Sequence, residues 1–220
     1  MHKNIKNLIY IQNEIKSKIS ENKIEDYNPN IVAISKTFKI DDILPLIEHG
    51  HIHFGENKVQ EALDKWSEVK SKNINIKLHM VGKLQTNKVK FAIKIFDYFH
   101  SVDNIKLAKK IAEEQRKINK KSKIFIQVNI GNEPQKSGIS KIEVKNFYNS
   151  CIELGLNVIG TMCLPPNDNK PDIYFSEMKK INQNLGLKDI SMGMSDDYLN
   201  ALKYNSTFLR IGSKIFGERH

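Results

Sequence analysis

The sequence predicts an α/β fold, a (β/α)8 barrel of the TIM type, formed as a single domain over residues 1–220. Eight short apolar runs rich in β-branched residues alternate with stretches of helical periodicity, and repeated βα units imply a parallel sheet. No Ser/Pro/Gly-rich linker or low-complexity tract interrupts them. An open doubly wound sheet should carry a Gly-rich phosphate turn after its first strand, but Lys36-Thr37-Phe38-Lys39 holds no glycine. Closure into a ring is therefore the preferred arrangement.

An additional amphipathic helix comes first, because Ile5, Leu8, Ile11, Ile15 and Ile19 recur at helical spacing over 3–20. The first strand, 31–36, ends in Lys36 and is followed by a helix over 40–49, with Pro45 inside it and Gly50 as its stop. Strands at 51–54, 74–81 and 98–102 then alternate with helices at 56–70 and 86–95. Asp103 is the expected cap of a helix running to about Asn119, and 123–130 is the most apolar strand. A helix over 140–154, a strand over 157–163, a helix over 171–185 and a strand over 189–192 follow. A short helix over 196–203 and a strand over 207–211 complete the set. With little chain after the eighth strand, the leading helix is expected to pack where an eighth helix is incomplete.

Composition narrows the function. No run of about 18 apolar residues is present and Met1 to Asn7 leads into no signal-peptide core, which points to the cytoplasm. Cys151 and Cys163 have neither metal spacing nor disulfide density and read as buried hydrophobes. His51 and His53 would share a strand face, but no Cys, Asp or Glu is spaced to complete a metal site with them, so none is expected. The net charge of +10 raises nucleic acid as a partner, yet only Arg116, Arg210 and Arg219 among the 35 basic residues are arginines. Base readout and bidentate phosphate capture favour arginine, so the lysines are read as solvated faces with weak, salt-sensitive attraction to polyanions.

The strand tips carry the chemistry. A free lysine has a pKa near 10.4, and partial burial of Lys36 at a strand tip would make imine formation by its neutral amine feasible. An ordinary lysine snorkelling from a strand end is the plain alternative. Polar residues also mark other tips, at Gly55-Glu56-Asn57, at His79 to Gly82 with Gln85 and Asn87, at Asn129 with Lys136, and at Gly160-Thr161. Gly193 and Ser195 after the seventh strand, with Gly212 and Ser213 after the eighth, suit either a phosphate or simple tight turns. Arg210 would face inward, toward a ligand or toward a salt bridge with Asp103, Glu56 or Asp196. An aldehyde for Lys36, a phosphate for the Gly-Ser turns and an aromatic nitrogen for Arg210 together describe pyridoxal 5′-phosphate (PLP).

Five blocks then resemble the pyridoxal phosphate homeostasis proteins, single-domain relatives of the alanine racemase N-terminal barrel. They are 32–36 (VAISK), 54–61 (FGENKVQE), 79–88 (HMVGKLQTNK), 191–197 (SMGMSDD) and 210–217 (RIGSKIFG), in the same order along essentially the whole chain. Leu78 stands where the family usually has tryptophan.

The resemblance implies a cofactor-binding role for Lys36, as the residue forming a Schiff base with PLP. It further implies that Asn57 and His79 surround the ring, that Ser191, Met192, Ser195, Gly212 and Ser213 surround the phosphate, and that Arg210 faces the pyridine nitrogen. A cation there makes the ring a poor electron sink. Racemase relatives take a second acid/base from an additional domain, and this chain stops just after the eighth strand. The implied role is intracellular PLP homeostasis and amino acid balance, without catalytic activity, by a monomer, with transfer of cofactor to PLP-dependent apo-enzymes left open. A weak racemase or a lysine-imine aldolase is the enzymatic alternative.

Overall fold

Strands and helices alternate around a closed ring in the order β1 to β8, every neighbouring pair parallel and β8 pairing with β1. The structure is a computed structural model and describes residues 1–218. Helix α1 (Lys3–Glu21) precedes β1 (Asn30–Ile34), α2 (Ile40–Glu48), β2 (His53–Glu56), α3 (Val59–Lys72) and β3 (Lys77–Met80). A 3-10 turn at Thr86–Lys88 leads into α4 (Val89–Ile95), β4 (Tyr98–Val102), α5 (Ile105–Lys117) and β5 (Lys123–Val128). The last elements are α6 (Val144–Glu153), β6 (Asn157–Cys163), α7 (Pro171–Asn184), β7 (Asp189–Met194), α8 (Tyr198–Leu202), β8 (Phe208–Ile211) and α9 (Ser213–Phe216).

Alternation along each strand divides the core into two shells. Phe54, Leu78, Phe99, Ile124 and Leu209 point outward into the layer beneath the helices, where α3 adds the fully buried Trp66. Val32, Tyr98, Phe125, Met162 and Phe208 form a smaller cluster inside the ring.

Helix α1 closes the outer layer between α2 on one side and α8 and α9 on the other. Leu8, Ile11 and Ile15 bury its apolar stripe. Asn4 Nδ2 donates to the Asp42 carbonyl (2.8 Å), Asn7 Nδ2 donates to the Ile215 carbonyl (2.9 Å), and Tyr198 bonds Glu14. The expected place of the leading helix, beside the short last helices, is therefore where it lies.

The cap of α5 differs from expectation. Asn104, not Asp103, is the N-cap, its Oδ1 accepting from Leu107 N–H at 2.9 Å. Asp103 instead accepts the Gly138 N–H (3.1 Å), tying the end of β4 to the loop after β5. The second strand likewise begins at His53 and runs through Glu56, so α3 starts at Val59.

Candidate functional site

Lys36 follows β1 in a turn pinned from several sides. Ser35 N–H donates to the Gly55 carbonyl (3.0 Å) and Phe38 N–H closes the turn on the Ser35 carbonyl (3.2 Å). Thr37 has a φ of 70°, and its N–H donates to Glu61 Oε1 at 2.6 Å. Underneath, the fully buried Glu56 accepts at Oε1 from Ser35 Oγ (2.7 Å), Lys65 Nζ (3.0 Å) and Trp66 Nε1 (2.9 Å). Lys65 also reaches the Ser35 carbonyl (2.9 Å) and Glu61 (3.1 Å). Burial pushes the Glu56 carboxyl above the usual carboxylate range, and the Lys65 ammonium opposes that shift.

Arg210 lies at the far end of β8, one strand away. It is 5% exposed, and its hydrogen bonds go to Ser191 Oγ (2.6 Å) and the Cys163 carbonyl (2.8 Å). Among the described residues no ion pair joins it to Asp103, Glu56 or Asp196. Burial lowers its pKa while the nearby Asp197 carboxyl raises it. A guanidinium has five N–H donors, so a side chain with two fixed acceptors retains donors for whatever occupies the space it borders.

The space is a cavity of ≈ 340 Å³ at the carboxyl ends of the strands. Lys36, Asn57, Ser195, Arg210, Gly212 and Ser213 line it together with Ile34, Val81, Leu164, Met194 and Asp196. A few hundred Å³, with apolar walls and a small number of convergent polar groups, suits a ligand of cofactor size. Gly193 has a φ of +89°, which lets β7 turn sharply into the loop carrying Ser195. Gly212 opens α9, its N–H 3.4 Å from Ser195 Oγ, and a Cβ there would sit 3.3 Å from the Ile34 Cβ. The Gly212 N–H and the hydroxyls of Ser195 and Ser213 meet at this corner, against the Ile34 side chain.

Three expected residues lie outside the cavity lining. His79 is fully buried inside the ring, stacked on Tyr98 with centroids 4.1 Å apart. Ser191 is also fully buried, its Oγ between Arg210 and His100 (2.8 Å) rather than at the Gly-Ser corner. Met192 points the other way, into the outer core, and its N–H bonds Ser206 Oγ at 3.3 Å. The expected place of Ser191 and Met192 beside the Gly-Ser turns is thus corrected. The sequence reading missed Ile34, Val81, Leu164, Met194 and Asp196 as lining residues, although each stands at or just beyond a strand tip. It also missed His100, which alternation places on the inward face with Tyr98.

Comparison with known proteins agrees with this fold. A family model described as alanine racemase, N-terminal domain, matches residues 16–220. The pyridoxal phosphate homeostasis protein of Haemophilus influenzae is 34% identical over 232 residues, covering 97% of this chain and 95% of that protein. PipY of Synechococcus elongatus, solved with PLP bound, is 26% identical with a TM-score of 0.81, covering 92% of this chain and 100% of that one. An alanine racemase of Clostridium difficile shares the fold at 16% identity and a TM-score of 0.71, covering 98% of this chain and 56% of that one. By fold and by relatives that match it over nearly its full length, the chain belongs to the pyridoxal phosphate homeostasis protein family, built on the alanine racemase N-terminal-domain barrel.

Proposed function

We propose that this protein binds PLP in the cavity at the carboxyl end of the barrel and serves to balance free cofactor and amino acids. One observation carries the reading: a primary amine, a buried guanidinium and a Gly-Ser corner border a single cavity. The Lys36 amine takes the aldehyde. Arg210 faces the pyridine nitrogen, and Ser195, Gly212 and Ser213 take the phosphate, with Asn57 beside the ring. When bound, the cofactor supplies an electrophilic carbon and a conjugated ring. The protein supplies orientation and the charge at the nitrogen.

That charge argues for holding rather than turnover. A fixed cation disfavours a proton on the pyridine nitrogen, so the ring is a poorer electron sink than where a carboxylate holds that proton in place. The same reading takes the protein as a cytoplasmic monomer that passes PLP to apo-enzymes, and as lacking efficient racemase activity.

Borohydride reduction of PLP-treated protein followed by peptide mass analysis tests the site. A pyridoxyl adduct on Lys36, with loss of the cofactor absorbance band in Lys36→Ala, is the expected result. An adduct confined to another lysine overturns the assignment. Rapid exchange of an amino acid's α-proton in deuterated water would instead favour the racemase alternative.

A further inference from the structure

Barrels of this size fill their interior with branched apolar side chains, but one column of this interior is polar. His53 Nδ1 lies 2.9 Å from His79 Nε2, and His79 Nδ1 lies 2.9 Å from His100 Nε2. His100 Nδ1 lies 2.8 Å from Ser191 Oγ, which in turn accepts from Arg210 at 2.6 Å. The series runs from the half-buried His53, at the start of β2, to the guanidinium that borders the cavity. His79 stacks on Tyr98, and His100 stacks on Phe125 with centroids 4.4 Å apart, so neighbouring strands fix both ring planes.

Hydrogen-bond bookkeeping gives the series a direction. Arg210 only donates, so Ser191 Oγ accepts from it, and the one hydroxyl hydrogen is left for His100 Nδ1. In that arrangement His100 carries its hydrogen on Nε2 and donates to His79 Nδ1. His79, by the same rule, donates from Nε2 to His53 Nδ1. The opposite direction would make Ser191 accept twice and leave its hydrogen without either of these partners. Imidazole alone among side chains accepts at one ring atom and donates from another across this spacing. The rings run in a line, and among the described residues no three potential ligands converge on a metal position.

We infer that His53, His79 and His100 are positioning residues for the pyridine end of the cofactor site, a one-way relay that keeps the Ser191 oxygen turned toward Arg210 and so fixes the guanidinium. The inference rests on the proposed PLP site for its purpose, but the direction of the relay belongs to the protein alone. Burial pushes His53 down to about 4, with His51, Lys77 and Lys123 lowering it further and Asp97 opposing. His79, which also feels Lys70, and His100, beside Arg210, are held well below the ordinary histidine value, again mainly by burial. The relay is therefore neutral through the physiological range.

Nitrogen NMR of the full-length protein labelled with 15N-histidine tests it without cofactor. His53, His79 and His100 should each show a single neutral tautomer with hydrogen on Nε2. His53→Asn keeps an acceptor where Nδ1 stood and should leave His79 and His100 as they were. His53→Phe removes that acceptor and should lose the single-tautomer pattern at both. In protein loaded with 15N-labelled PLP, His53→Phe should also move the pyridine nitrogen signal toward its protonated position, while His53→Asn should not.

Tautomers with hydrogen on Nδ1, or mixed tautomers in the unsubstituted protein, overturn the relay. So does His53→Phe with unchanged His79 and His100. If His53→Phe does not fold, the unsubstituted protein and His53→Asn still decide. Correct tautomers without a Lys36 adduct would sink the cofactor reading and leave the relay standing.

Discussion

Glu56 does not border the cavity, yet the turn that presents Lys36 rests on it. Three donors converge on its Oε1, while its buried Oε2 has no partner. Its partner Lys65 is itself 9% exposed, so removing the carboxylate leaves a cation with only Glu61 and a carbonyl. Glu56→Ala is expected to lower stability by about 3–5 kcal/mol, the usual loss when one side of a buried ion pair is deleted, as read from urea unfolding. Gly193→Ala is expected to lose about 1–3 kcal/mol, because an L-residue is strained at that positive φ and its Cβ would lie 2.7 Å from the Ala201 Cβ. Lys36, Arg210 and the Gly-Ser turns were legible in the sequence because a strand tip follows directly from strand length. Ser191 and Met192 were placed beside the Gly-Ser turns from their motif, whereas Ser191 pairs level with Phe208 inside the ring and the register irregularity that follows separates it from Met194 and Ser195. Strict alternation alone already forbade two adjacent residues from facing the same pocket.

Among the elements, β2, β3 and β4 bring buried imidazoles together, and this makes the fold sensitive to acid. An unfolded histidine titrates near 6.5, whereas burial pushes His51 and His53 down to about 4 and holds His79 and His100 well below the ordinary value. Between those limits the unfolded chain binds more protons, so stability is full above about pH 6.5 and falls as the pH drops toward about 4. Urea midpoints measured across that window should decline steadily, and His53→Phe should flatten the decline. At α5, Asn104→Ala is expected to lose about 1 kcal/mol through its cap, while Asp103→Ala should leave the helix and loosen the loop at Gly138. Element order was readable because helical and strand periods differ. The cap was not, since adjacent Asp103 and Asn104 are both good capping residues and only the tertiary bond to Gly138 separates them.

Across the whole molecule, ring closure followed from eight βα units, whereas the seat of α1 was set by contacts far apart in sequence. Because Asn7 holds the carbonyl of Ile215, α1 supports the short helix that begins at the Gly-Ser corner. Leu8→Ala and Ile11→Ala should each cost about 2–5 kcal/mol. They should also weaken PLP retention more than Ile111→Ala, an equally buried change in α5, with equilibrium dialysis as the measurement. Strand β8 lies beside β1, with Val32 level with Arg210, so the turn after the first strand and the tip of the eighth become neighbours only when the ring closes. In the proposed site, a barrel still open between these two strands would therefore hold the aldehyde end of the vitamin-derived cofactor without its nitrogen end, so tight retention doubles as a report that the ring has shut.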